Sequence, residues 1–268
     1  MTQIAQLPEA LDQLENLMDR AWLASEREIL DGWILRSAGS VTQRANSVWP
    51  AAAPADLDAA LRSAAAWYAA KRQPVIFQLT ARPENHELGR LLDRHGYSRR
   101  SETLIMTARG AAAGWRGADA SGPTAGVDVI LEDAPSPEWL DLWWRVDGRG
   151  GAAERHIAWS IVTGTPSIYA TALDGHGAVI GTGRLTVLDG CGGIYCMAVH
   201  PEFRRQGVAT AILDVLRDAG REAGAANFWL VATEANAGGR ALYKRAGFAE
   251  SARYHYRQAP LYRAPNVC

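Results

Sequence analysis

The segment 194–216 narrows what this chain can fold into more than any other. It opens with an apolar run, Ile194-Tyr195-Cys196-Met197-Ala198-Val199, passes His200-Pro201 and crosses a basic turn, Arg204-Arg205-Gln206-Gly207. It ends in Val208, Ile212, Val215, Leu216 and Ala219 at helical spacing. The pattern reads as a strand, an anion cradle and a helix start. The first N–H groups of such a helix have no partner within it, and Gly207 lets the backbone approach a ligand with no Cβ in the way. Arg204 and Arg205 add positive charge, so the turn suits a phosphate. R-x-x-G-x-A alone is short, and an ordinary basic loop before a core helix reads the same way.

Residues downstream add to the pattern. Leu230-Val231-Ala232-Thr233-Glu234-Ala235-Asn236 reads as a further strand and its exit, and Ala241-Leu242-Tyr243-Lys244-Arg245-Ala246-Gly247-Phe248 as a helix end. Together with Met197-Ala198-Val199-His200-Pro201 and Arg204-x-x-Gly207-x-Ala209, in that order and spacing, they resemble the GCN5-related N-acetyltransferase (GNAT) superfamily over residues 127–257. The resemblance implies acetyl-CoA as cofactor. Its pyrophosphate would lie on Arg204, Arg205, Gln206, Gly207, Val208, Ala209 and Thr210. Its pantetheine arm and thioester carbonyl would lie on main-chain N–H groups of Met197, Ala198 and Val199. Asn236 would meet the pantetheine arm or the next helix start, although an Asn there is equally a plain N-cap. Tyr243 takes the place of a cofactor contact and of the general acid for the departing thiolate, a phenol ordinarily near pKa 10 facing a thiol near 8.5.

The first half carries a partial echo of this. Apolar residues at Leu11, Leu14, Leu17, Met18, Trp22, Ile29 and Leu30 predict one or two amphipathic helices ending at Gly32. Trp33-Ile34-Leu35-Arg36-Ser37 and Ala45-Asn46-Ser47-Val48-Trp49-Pro50 predict a hairpin, and Asp56 a cap for a helix over 57–72. From Phe77 onward the order is strand, helix, Gly96-Tyr97, strand, as it is again from Phe228 through Gly247-Phe248. Leu92-Asp93-Arg94-His95-Gly96-Tyr97 against Tyr243-Lys244-Arg245-Ala246-Gly247-Phe248 suggests an internal duplication. Chance sharing of one α/β ending is the other reading. The first copy has no counterpart of Arg204-x-x-Gly207-x-Ala209. The expectation is therefore an α+β protein of two tandem GNAT-like domains, each a mixed, mostly antiparallel sheet flanked by helices. Residues 1–109 form a degenerate copy, 110–126 a Gly/Ala-rich linker and 127–268 the catalytic copy.

Composition bounds the rest. With 268 residues and 48% hydrophobic residues the chain can bury more than one core, and a formal charge of −1 offers no basic excess for nucleic acid. No apolar stretch reaches a membrane-spanning length of ~18 residues, and the start lacks a basic region leading into an apolar one. The expected place is the cytoplasm, with no membrane partner. Three cysteines, Cys191, Cys196 and Cys268, have no metal-ligand spacing and suit a reducing compartment. No metal is expected.

For the acceptor, Pro137 at a helix start leads to Trp139, Trp143 and Trp144, then to the glycine-flanked charges of Asp147-Gly148-Arg149-Gly150-Gly151. The resemblance makes this region the acceptor wall, with Trp144, Asp147 and Arg149 as its substrate-binding candidates. Tyr195 and His200 are further polar candidates. Amide formation from a thioester requires a base for the ammonium, a donor for the carbonyl and an acid for the thiolate. Glu234, at the exit of the second cofactor-flanking strand, is the candidate base. The expected activity is direct acetyl transfer to a primary amine, with a small molecule as the expected acceptor. The alternatives are acetylation of a protein N-terminus or lysine, and a non-catalytic acyl-CoA sensor. Two fused copies lead us to expect a monomer acting as an internal pseudo-dimer.

Overall fold

The computed structural model describes residues 11–110, 127–148 and 150–260. The expected linker thus lies outside the described residues except for Gly110. The chain forms two compact units, one holding the described residues up to Leu23 with Leu104–Ser251, the other Ala24–Thr103 with the described residues from Ala252. The units are interleaved in sequence, which differs from a consecutive division into 1–109 and 127–268.

The larger unit has helices α1 (Leu11–Ala21), α4 (Pro137–Asp147), α5 (Ala152–Thr163), α6 (Val208–Glu222) and α7 (Ala237–Arg245). Its strands are β6 (Asp128–Glu132), β7 (Ile168–Leu173), β8 (Val179–Leu188), β9 (Cys191–Val199) and β10 (Asn227–Thr233), with the second half of β5 (Ser98–Arg109). They lie in the order β5-β10-β9-β8-β7-β6. The pairs β6/β7, β7/β8 and β8/β9 are antiparallel and β9/β10 is parallel, with α6 as the crossover. The apolar stripe of α6 buries Ile212, Leu213 and Leu216 with Leu185, Ile194, Phe228 and Leu230 of the sheet. Each such burial contributes roughly 1.5–3 kcal/mol. The helix lies unusually close: a Cβ on Gly183 of β8 would come within 2.6 Å of Ile212 and 2.8 Å of Leu216. Ser136 caps α4 through its hydroxyl, and Pro137 takes the first turn as its fixed φ favours.

Helix α1 belongs to this unit because Leu14, Leu17 and Met18 are buried and because Arg184 of β8 reaches its end. The Arg184 guanidinium, fully buried, donates to Ala21 O at 3.0 Å and lies over the rings of Trp22 and Tyr195 at 5.8 and 5.7 Å. It thereby satisfies a carbonyl at the helix C-terminus, where a cation is electrostatically favoured. Arg20 pairs with Asp189 in the β8–β9 turn.

The smaller unit has α2 (Leu57–Ala70) and α3 (Asn85–Arg94), with β1 (Glu26–Leu30), β2 (Trp33–Ser37), β3 (Val48–Pro50), β4 (Ile76–Thr80) and the second half of β11 (Ala249–Gln258). Trp33, Leu35, Val48, Leu61, Tyr68, Phe77 and Leu91 make its core. The expected hairpin is present as β2/β3, Trp33 facing Pro50, but residues 26–30 are strand rather than helix. Asp31-Gly32, both at positive φ, turn β1 back on β2; β1 is an exposed edge, so it lacks the alternation that marks a half-buried strand. The suspected echo has a backbone counterpart. In both units a parallel strand pair, β3/β4 or β9/β10, is bridged by a helix, and the following helix ends at a left-handed glycine, Gly96 at φ 71° or Gly247 at φ 74°.

Among the described residues no helix is long and apolar enough to cross a membrane, and no group of three His, Cys, Asp or Glu could hold a metal ion.

Candidate active site

The site begins where two strands part. β9 and β10 pair in parallel from Cys191/Asn227 to Ile194/Leu230, after which the register ends although both strands continue. The cause lies on the other side of β9. Between Thr182/Ala198 and Arg184/Tyr195 the β8–β9 register gains a residue on β9, and Cys196 sits there at φ 54°. Such a bulge bends the strand and sharpens its twist. Thr182 Oγ1 donates to Cys196 O at 2.9 Å and holds the bulge. Beyond it, His200 N–H donates to Ile180 O at 2.9 Å. By alternation the Ala198 N–H also faces β8, while the Met197 and Val199 N–H groups face the edge that β10 has left.

The basic turn follows at once. After a single 3-10 turn, Pro201–Phe203, residues 204–207 bring Arg205 to φ 64° and Gly207 to φ 85°, and α6 begins. Gly207 is the N-cap, no side chain caps the helix, and its first turn holds no acid. The N–H groups of Val208, Ala209 and Thr210 therefore have no intrahelical acceptor, while Ala211 N–H already bonds Gly207 O at 3.0 Å. Arg204, Arg205 and Gln206 are exposed around this opening. Gln206 Nε2 donates to Glu202 O at 2.8 Å, and Arg204 Nε to Val199 O at 3.3 Å, tying the turn to the parted strand.

At the exit of β10, Asn236 is the N-cap of α7, its Oδ1 accepting from Gly239 N at 2.9 Å. Glu234 is exposed, and its carbonyl accepts from Arg240 at 2.9 Å. Tyr243 is the buried residue of α7, edge-on to Phe248 at 6.2 Å. Among the described residues its hydroxyl has no hydrogen-bond partner. Burial, and then the negative charge of Asp147, pushes its phenol up to about 12. Asp147 is the last residue of α4, exposed, rather than a loop residue. Trp144, half-buried one turn earlier, packs beside Trp143 at 6.2 Å. Arg149 lies outside the described residues. Of the other polar candidates, Tyr195 is buried and accepts from Trp229 Nε1 at 2.9 Å, and His200 stacks edge-on against Phe203 at 5.8 Å.

Residues 10–257 match the family model described as probable histone acetyltransferase Rv0428c, C-terminal. The chain belongs to that family. Its relatives include an uncharacterized N-acetyltransferase, YobR, of Bacillus subtilis, 28% identical over 248 residues, spanning 91% of this chain and 97% of that protein. A GCN5-related N-acetyltransferase from Kribbella flavida shares the fold at a TM-score of 0.65 and 18% identity, over 93% of both chains. A tandem GNAT protein from the clavulanic acid biosynthesis pathway does so at 0.56 and 15% identity, over 75% of this chain and 69% of that one. The protein is thus an N-acetyltransferase of the GNAT superfamily, whose members use acetyl-CoA as co-substrate.

The arrangement fits that co-substrate chemically. An uncapped helix start flanked by two arginines suits a pyrophosphate, and an N–H edge on a parted strand suits amide and thioester carbonyls. Tyr243 is a more demanding donor than its type suggests. A phenol at about 12 gives its proton to a thiolate near 8.5 only uphill, by roughly 5 kcal/mol. No residue type announces the bulge, because a cysteine does not mark left-handed backbone. Arg184 was equally silent, reading as an ordinary strand residue.

Proposed function

We propose that the protein transfers the acetyl group of acetyl-CoA directly to the primary amine of a small molecule. The uncapped N-terminus of α6, beside the N–H edge of β9, is the observation that carries this reading. In it, Arg204, Arg205, Gln206, Gly207, Val208, Ala209 and Thr210 hold the pyrophosphate, and Met197 and Val199 donate to the arm and to the thioester oxygen. Tyr243 hydrogen-bonds the leaving sulfur. Ala198, whose N–H faces β8, contributes to shape, and Asn236 acts through its cap on α7. We infer that the working species is a single chain in the cytoplasm, with no nucleic-acid or membrane partner.

The description of the family model, probable histone acetyltransferase, favours a second reading, in which the amine is a protein lysine. One experiment addresses both. Thiol release from acetyl-CoA is followed with alkylamines, polyamines, a lysine-containing peptide and a peptide with a free N-terminus. Turnover confined to the small amines supports the first reading, and turnover confined to the lysine peptide the second. Acetyl-CoA binding without turnover on any of them would leave a sensor.

A further inference from the structure

We propose that Thr182 is a positioning residue for acetyl transfer: its hydroxyl bonds the carbonyl of the Cys196–Met197 peptide, and so aims and strengthens the Met197 N–H at the thioester oxygen. The inference rests on the acetyltransfer reading above. It adds which donor meets the reacting carbonyl and what holds that donor in place.

Three observations on β8 and β9 carry it. First, Cys196 O and Met197 N–H are the two ends of one peptide group. None of the described peptide bonds is cis, so these ends point in opposite directions. Thr182 Oγ1 of β8 donates to Cys196 O at 2.9 Å. The carbonyl end therefore points to β8, and Met197 N–H points to the other edge of β9, which β10 leaves after Leu230. Second, the bond is built into the interior. A Cβ on Gly181 or Gly183 would meet Val208, Ile212 or Leu216 of α6, so Thr182 between them projects from the opposite face of the sheet. It is fully buried there, and its single proton is committed to Cys196 O. Third, the backbone at this point is one that a side chain disfavours. Cys196 stands at φ 54°, a left-handed conformation that glycine adopts freely and cysteine adopts at a cost. Without a bond at its carbonyl the peptide relaxes toward ordinary extended geometry, turning Met197 N–H away from the gap.

The order of groups along β9 selects Met197 for the thioester. β9 ends at Val199, just before the turn that leads to α6. Acetyl-CoA with its pyrophosphate at the start of α6 meets Val199 first and Met197 next, toward the point where β9 and β10 still pair. The amide carbonyls of the arm thus fall to Val199 and the thioester carbonyl to Met197. As the amine attacks, the thioester oxygen gains negative charge. The Thr182 hydroxyl, the peptide it bonds and that oxygen then form a chain in which each hydrogen bond polarises the next.

The test compares wild type with Thr182→Val, which keeps the shape and loses the hydroxyl, and with Thr182→Ser, which keeps the hydroxyl. Thr182→Ala reads the same loss if the valine variant does not fold. Turnover is measured on whichever amine of the panel wild type uses fastest. The infrared carbonyl stretch of acetyl-CoA, isotopically labelled at that carbonyl and bound without amine, is measured beside it. In Thr182→Val kcat is expected to fall about 10-fold, less than the ~100-fold or more that follows loss of a whole oxyanion donor, with KM for acetyl-CoA within about twofold. The stretch should move to higher frequency as its hydrogen bond weakens, and Thr182→Ser should restore both readings. A stretch unmoved in Thr182→Val, a kcat within about twofold of wild type, or a loss that Thr182→Ser shares overturns the assignment while the acetyltransferase reading stands. No thiol release by wild type with any amine overturns that reading and the assignment with it.

Discussion

The two units start their crossover helices in opposite ways. In the smaller unit Asp56 caps α2, its Oδ1 accepting from Ala59 N at 2.9 Å, Asp58 stands in the first turn, and Asp31 accepts from Ala55 N at 2.8 Å. Its helix start is already filled with the chain's own carboxylates. In the larger unit Gly207 caps α6 with no side chain, no acid follows, and Arg204 and Arg205 flank the opening. Both units keep a parallel strand pair that lasts only briefly, a single partnered position, Val48/Phe77, in one and four in the other. The parted strands are thus common to both. The two helix starts differ in charge, and on that ground only the one at α6 suits a phosphate.

The largest expected effect comes from making the second helix resemble the first. Gly207→Glu places a carboxylate at the helix start proposed for the pyrophosphate and a side chain at φ 85°. Acetyl-CoA affinity by calorimetry on the folded variant should fall by at least ~100-fold, the consequence of like charges brought together. Unchanged affinity would remove the cradle from the account. Next in size is Tyr243→Phe, which keeps the ring against Phe248 and removes the phenolic proton. Turnover at saturating amine should drop about 100-fold while acetyl-CoA affinity stays level, provided chemistry limits the rate. A variant retaining most of its turnover would reduce Tyr243 to a packing residue.

Smaller effects sharpen the contrast from the other side. Titration should find one acetyl-CoA site per chain, and a second site would mean that the α2 terminus also binds. Asp56→Ala should cost about 1 kcal/mol of stability through the lost cap, seen as a lower denaturation midpoint, without changing acetyl-CoA affinity. A change in that affinity would show that the two helix starts are not independent.

The sequence exposed the parts of this contrast that depend on residue type. Gly207 with two preceding arginines, Asp56 before an apolar helical stripe, and Gly96 and Gly247 at matching helix ends each carry a local physical signal. What it concealed depends on backbone shape or on distant packing. The left-handed Cys196 that parts β9 from β10 has no compositional mark. The strand at 26–30 was hidden by its exposure, although Asp31-Gly32 held the turn signal. Asp147 stood out as a glycine-flanked charge, but its position ending α4 needed the fold. Long-range placement of that kind follows from the sum of core contacts rather than from any neighbour in sequence.

The tie between Arg184 and Ala21 bears on how the protein can be made. During synthesis α1 is made before the other elements of the larger unit, yet its place there is built with β8 and β9, which follow it by more than 150 residues. The smaller unit waits longer still, because β4 pairs with β11, which follows β10 and α7 in sequence. Neither unit can close around its full set of elements until β11 has been made, and contacts this distant in sequence slow folding. A gene fragment starting at residue 127 would omit α1 and leave the Trp22 face of Arg184 bare. Recombinant work on residues 127–257 is therefore expected to need α1 as well, in the same chain or supplied as a separate peptide.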